Sequence, residues 1–132
     1  MIQHLYKTLE EVVTNNSSGD VGLILHLARY PIAKLILDEI CRDIFFSVKS
    51  IIPDIEYTIV GNGWNNVFIS AKSHSTKDSE HTIPVDKVIY EAIPEKYRKF
   101  FVFHSSTCYI DEEEAKNIKE VIEELHKEVK ND

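Results

Sequence analysis

The chain has 132 residues and a formal net charge of −7 at pH 7, with 43% hydrophobic and 28% charged residues. This length predicts a single domain over residues 1–132, which is large enough to fold around its own core without a disulfide or a metal. The acidic balance argues against sequence-independent binding of DNA or RNA, because such binding needs basic side chains that displace counterions from the phosphates.

The N-terminal part of the chain is predicted to be helical. Apolar residues at helical spacing indicate an amphipathic helix over residues 1–15, and a polar loop separates it from a short apolar segment over 21–30. Residues 32–52 form the strongest predicted helix, because apolar side chains occupy most of its circumference. We therefore expect this helix to lie at the centre of the fold.

Beyond residue 54 the apolar residues alternate, as they do in strands. Residues 55–60 and 67–72 predict a hairpin, and a third strand over 81–85 would complete a meander, with Pro84 restricting it to an edge. A short helix over 86–93 and a buried strand over 100–110 follow.

The last predicted helix begins at Asp111, and Glu114 stands three residues later, as in a capping box. The complete order is three helices, a three-stranded meander, a helix, a strand and a helix. This order predicts an α+β fold, in which N-terminal helices pack on a small, mainly antiparallel sheet and a C-terminal amphipathic helix completes the domain.

The order of elements over residues 32–125 resembles the core of the PD-(D/E)xK nucleases. Pro53-Asp54 precedes the first strand, and Ser70-Ala71-Lys72 occupies the place of the family's acid-x-lysine motif in the second strand. Ser70 replaces a carboxylate that the family uses to hold Mg²⁺. The resemblance therefore implies a related topology without an active, metal-dependent nuclease site.

An alternative enzymatic site consists of His104, Ser106 and Cys108. These residues share one face of the predicted strand, but His104 and Cys108 would lie about 13 Å apart along it, and Ser106 about 6–7 Å from His104. Direct hydrogen bonds between a nucleophile and its base require much shorter distances. On this hypothesis the protein would be a hydrolase or a relative of the nuclease fold.

Several other site types are not expected. His74 and His81 flank a polar turn but lack the ligand spacing of a zinc site, and the glycines at 61 and 63 match no phosphate-binding or dinucleotide-binding motif, so we predict no metal and no cofactor. From the sequence we expect neither a signal peptide nor a transmembrane segment. Cys41 and Cys108 are predicted to be reduced core thiols, which favours a cytoplasmic location.

The C-terminal segment, residues 111–132, contains nine acids and four lysines and carries five of the seven net negative charges. A solvated helix face is one interpretation of this segment. The other is a surface that attracts a basic protein partner. For this surface we predict contacts through Glu113, Glu120 and Glu124, with Trp64, in the hairpin loop, as an apolar anchor.

These observations lead to a first hypothesis of a small cytoplasmic binding protein. It would inhibit a basic partner, such as a nuclease toxin, in the manner of toxin-neutralising immunity proteins. A structural subunit of a larger assembly is a further alternative. The sequence leaves the oligomeric state open.

Overall fold

The computed structural model describes residues 2–15, 31–61, 67–73, 82–103 and 108–127. Within these ranges the chain forms four α-helices, one 3₁₀ helix and five strands, in an α+β arrangement. In chain order they are α1 (Ile2–Asn15), α2 (Pro31–Val48), β1 (Glu56–Gly61), β2 (Val67–Lys72), β3 (Ile83–Pro84), α3 (Val85–Ala92), the 3₁₀ helix (Glu95–Phe100), β4 (Val102–Phe103), β5 (Tyr109–Ile110) and α4 (Glu112–Lys127).

The helices pack around one apolar core. α1 lies against α2, and α4 packs on both α2 and α3. The buried stripe of α1 follows the predicted helical spacing, and its members are Ile2, Tyr6, Leu9 and Val13. The predicted helix over 21–30 lies outside the described residues.

The predicted hairpin is confirmed. β1 and β2 pair antiparallel over six residues in regular register, from Glu56 opposite Lys72 to Gly61 opposite Val67. Their common inner face contains Ile69 and Ala71, which are fully buried. β4 then pairs parallel with β2, so the sheet has the order β1-β2-β4.

The predicted meander is wrong in its third strand. Instead of joining β1 and β2, the short β3 pairs antiparallel with β5 in a separate two-stranded sheet. The strand is short because the chain enters α3 at Val85, directly after Pro84. Pro84 is the extended N-cap residue of α3, and the backbone N–H of Val85 still donates to the Cys108 carbonyl oxygen at 3.0 Å.

The predicted continuous strand over 100–110 is also wrong. Phe100 ends the 3₁₀ helix, and only Val102–Phe103 and Tyr109–Ile110 are strands among the described residues of this stretch. Its apolar residues still reach the core: Phe100, Phe101, Cys108 and Ile110 are all buried. The continuous apolar run thus indicated burial correctly, but it did not distinguish a strand from a 3₁₀ turn.

α2 is central, as predicted, but it is less enclosed and shorter than its sequence suggested. It ends at Val48 instead of residue 52, and a turn follows in which the Ser50 hydroxyl donates to the Ser47 carbonyl oxygen at 2.7 Å. Three large apolar side chains remain exposed: Ile32 at 55%, Leu35 at 65% and Phe46 at 80%. A helix with an apolar circumference was expected to bury them.

The capping box of α4 is present. The backbone N–H of Glu114 donates to Asp111 Oδ1 at 2.8 Å, and the backbone N–H of Asp111 donates to Glu114 Oε1 at 3.3 Å. The stripe that follows buries Ile118, Ile122 and His126. Among the residues that the structure describes, none of the helices has the length and apolar character that crossing a membrane requires.

We predict that Asp111→Ala lowers the free energy of unfolding by about 1 kcal/mol, because α4 loses the acceptor for an N-terminal amide. Asp111→Asn keeps a side-chain acceptor and should retain most of this stability. Urea titrations of the two variants measure the difference. Equal losses in both would show that the cap hydrogen bond does not account for the stability.

Candidate protein-binding site

The outer face of α4 contains a row of exposed glutamates. Glu113, Glu120 and Glu124 all point to solvent. They lie on the side of the helix opposite Ile118 and Ile122, because positions four and seven apart share one face of an α-helix. We call these three glutamates the acidic surface.

No ion pair involves the acidic surface among the described residues, although Lys116, Lys119 and Lys127 are on the same helix. Ion pairs between described residues join Asp38 to Arg42 and Glu56 to Lys72. All three carboxylates are thus exposed without a cation of the described ranges at ion-pair distance.

α4 is anchored at both of its ends, and this anchoring holds the three carboxylates in fixed positions. Its N-terminus is closed by the capping box, and near its C-terminus the Gln3 side chain donates to the His126 carbonyl oxygen at 2.8 Å. The His126 ring is buried against Tyr6 of α1. A charge array on an anchored helix can match a partner in geometry as well as in sign.

Two of the predicted alternative catalytic residues, His104 and Ser106, lie outside the described residues, and so does the predicted anchor Trp64. The contribution of these three side chains stays a prediction. Only Cys108 of the alternative catalytic set is described, and it is buried.

Cys108 lies in a polar cluster that long-range folding brings together. Ser73 Oγ donates to Asp54 Oδ1 at 2.7 Å, and both side chains interact with the Cys108 thiol. The negative charges of Asp86, which is only 5% exposed, and Glu114 also act on this thiol. The cluster thus joins the chain before β1, the end of β2, the start of α3 and the start of α4.

This environment stabilises the protonated thiol. Burial raises the pKa of Cys108, the nearby Ser73 hydroxyl opposes this shift, and the negative charges of Asp54, Glu114 and Asp86 raise the pKa further. A cysteine nucleophile reacts as the thiolate, so these surroundings disfavour its attack on a substrate. The adjoining cavity measures about 190 Å³, which is below the usual size of a small-molecule site.

The residues carried over from the nuclease resemblance do not assemble into a metal site. Ser70 is half-buried, and Lys72 is exposed and forms an ion pair with Glu56 of the neighbouring strand at 3.8 Å. Across the described ranges there is no group of three or more His, Cys, Asp or Glu side chains positioned to bind a metal ion.

No protein-family model, curated protein or solved structure matches the chain. The choice among its candidate functions therefore rests on the residues themselves. Of the sites predicted from the sequence, the acidic surface is the one whose three glutamates are all described, and all of them are exposed.

Sequence reasoning missed two features that the fold creates. The first is an aromatic cluster in which Tyr6 contacts Tyr97, Phe101 and His126. Its signal in the sequence was the spacing of Ile118, Ile122 and His126, which places the histidine on the buried stripe of α4. The second is a groove between α2 and β1. It could not be found from the sequence, because the pattern of α2 gave no sign that Leu35 would stay exposed.

Proposed function

We propose that this protein is a small cytoplasmic inhibitor of the immunity type, which binds a basic protein partner through the acidic surface of α4. The observation that supports it most is the exposure of Glu113, Glu120 and Glu124 on an anchored helix, with no ion pair to any of them among the described residues. The net charge of −7 adds a long-range attraction for a basic protein. The two free, buried cysteines fit a reducing compartment.

The acidic surface suits rapid capture of a toxin. Complementary charge speeds the encounter of two proteins and makes the association rate depend strongly on salt. An inhibitor needs no assembled catalytic groups. The buried, protonated thiol of Cys108 agrees with this, because it is poorly suited to attack a substrate. A nuclease toxin fits this description of the partner, because its own cationic surface for nucleic acid would bind the carboxylates.

The experiment begins with the immobilised protein in a nuclease-treated lysate of its native host at low salt. Any retained basic protein is identified, purified and used for association kinetics. We expect Glu113→Gln, Glu120→Gln and Glu124→Gln together to slow association by about tenfold, since the rate depends on the local electrostatic field. The wild-type rate should fall steeply as salt is added.

A matched control carries Glu11→Gln, Glu39→Gln and Glu91→Gln, which remove the same charge from exposed positions outside α4. It should keep most of the wild-type rate. If both triple variants slow association equally, the association rate depends on the net charge of the protein and not on the acidic surface. Recovery of no protein at low salt, or of a partner whose activity the bound protein leaves unchanged, would contradict an inhibitory function.

A further inference from the structure

A groove of about 790 Å³ runs between helix α2 and strand β1. The helix contributes one wall and the strand the other, and the lining residues are Pro31, Lys34, Leu35, Asp38 and Arg42 from α2 and Tyr57, Thr58 and Ile59 from β1. None of the acidic surface of α4 lines it. The molecule that occupies this groove is therefore independent of the proposed inhibitory function of α4.

The groove follows the backbone edge of β1. Tyr57, Thr58 and Ile59 are consecutive, and consecutive residues of a strand point to opposite faces of the sheet. A groove that contacts all three therefore runs along the edge of the strand. In the described sheet, β1 stands at the end of the order β1-β2-β4, so this edge presents backbone donors and acceptors to the groove.

Two common protections of an exposed edge, proline and lysine, are absent from β1. Its sequence is EYTIVG, and its pairing with β2 is regular over all six residues, without a bulge. Exposed edges of this kind pair readily with another strand. Leu35, which is 65% exposed, lines the groove from the adjacent helix, so the groove combines a pairing edge with an exposed apolar side chain.

Two of the three charged residues that line the groove, Lys34 and Asp38, complement each other across a two-fold axis, and Asp38 also pairs with Arg42 of its own helix at 2.7 Å. Lys34 and Asp38 are four residues apart and line the same wall. In an antiparallel pair of α2 helices centred near residue 36, each Lys34 lies opposite Asp38 of the partner subunit. A partner with charge of one sign would instead meet a like charge at one of these two positions. On β1 the single charged residue, Glu56, is at one end, so antiparallel pairing of two such strands keeps the two glutamates apart.

We propose that this groove binds a second copy of the chain, in a two-fold dimer in which the β1 strands pair antiparallel and the α2 helices pack through Leu35. A two-fold interface uses the same surface on both subunits, so the surface must complement itself. The edge of β1, the exposed Leu35 and the Lys34–Asp38 spacing each meet that requirement.

The first test measures mass in solution by sedimentation equilibrium over a wide concentration series. The wild type is expected to dimerise, and Leu35→Glu should weaken the dimer by about a hundredfold, because a symmetric interface loses the same apolar contact twice. Phe46→Glu is the matched control, since Phe46 is 80% exposed on the same helix but does not line the groove. A monomeric wild type, or equal weakening by both variants, overturns the proposal.

The second test exchanges charges. Lys34→Glu makes both positions acidic and Asp38→Lys makes both basic, so each variant alone should be monomeric. An equimolar mixture should form heterodimers, because every pair across the interface is then of opposite sign. The heterodimer also demonstrates that both variants are folded. If the mixture stays monomeric, the second copy is excluded as the occupant of the groove. The same conclusion follows if the wild type binds an extended peptide and does so only as a monomer.

Discussion

Tyr6→Ala is expected to destabilise the protein by about 3–5 kcal/mol, the cost of removing a large aromatic side chain from a core. Tyr6 is completely buried and joins three elements. Its ring stacks on Tyr97 of the 3₁₀ helix with centroids 4.0 Å apart and on His126 of α4 at 5.7 Å, and it meets Phe101 edge-on at 6.4 Å. Truncation removes all of these contacts at once. Urea unfolding followed by far-UV circular dichroism measures the loss.

Tyr6→Phe separates the ring from its hydroxyl. The variant keeps the stacking but removes the 3.4 Å contact between the Tyr6 hydroxyl and His126 Nε2. We expect it to cost about 1 kcal/mol, as for a single hydrogen bond. If Tyr6→Ala cost no more than Tyr6→Phe, the aromatic stack would not be a main source of stability, and the role assigned to this cluster would be wrong.

The elements that the sequence predicted well are those whose stabilising contacts are local. The capping box of α4 involves Asp111 and Glu114, three residues apart, and the hairpin of β1 and β2 joins neighbouring segments. Helical periodicity likewise identified the buried stripe of α1. In each of these cases the pattern that forms the element is contained within a few residues or a single turn.

The predictions from the sequence were wrong where contacts between distant segments determine the structure. Ile83 and Pro84 pair with Tyr109 and Ile110, about which a local pattern carries no information. Leu35 belongs to an apolar helix, yet the wall that it forms faces the open edge of β1. Apolar composition predicts which residues can be buried. The fold determines which side of a helix is covered by another element.

The candidate sites follow the same division. The glutamates of α4 were predictable because a docked amphipathic helix must expose its charged side. The polar cluster was not, since Asp54, Ser73 and Cys108 come from separate parts of the chain. Its assembly also shows why Cys108, predicted as a core thiol, has acidic neighbours in addition to apolar ones.

The buried ring of His126 makes stability depend on pH. Its Nδ1 lies 2.7 Å from the Ile122 carbonyl oxygen, which can only accept, so Nδ1 carries the proton of the neutral ring. Nε2 is then the acceptor for the Tyr6 hydroxyl at 3.4 Å. Burial lowers the pKa of His126 below its ordinary value of 6.5, against an opposing hydrogen bond to Ile122. The folded protein therefore favours the neutral ring.

Since the pKa of His126 is lower in the folded chain than in the unfolded chain, the unfolded chain takes up this proton first as pH falls. The stabilising contribution is complete above pH 6.5 and decreases as the pH falls from there through the folded-state pKa. Within this window the free energy of unfolding should fall by up to about 1.4 kcal/mol per pH unit, the limit for one proton. Below the folded-state pKa the contribution of His126 to the slope ends.

Urea titrations at a series of pH values test this dependence with two matched variants. His126→Phe keeps a ring against Tyr6 but cannot titrate, so it should lose most of the slope in this window. His4→Phe removes an exposed histidine of α1 outside the aromatic cluster and should keep the wild-type slope. A wild-type slope in His126→Phe would assign the pH dependence to other groups, because the only titrating group removed from the cluster is the imidazole that packs on Tyr6.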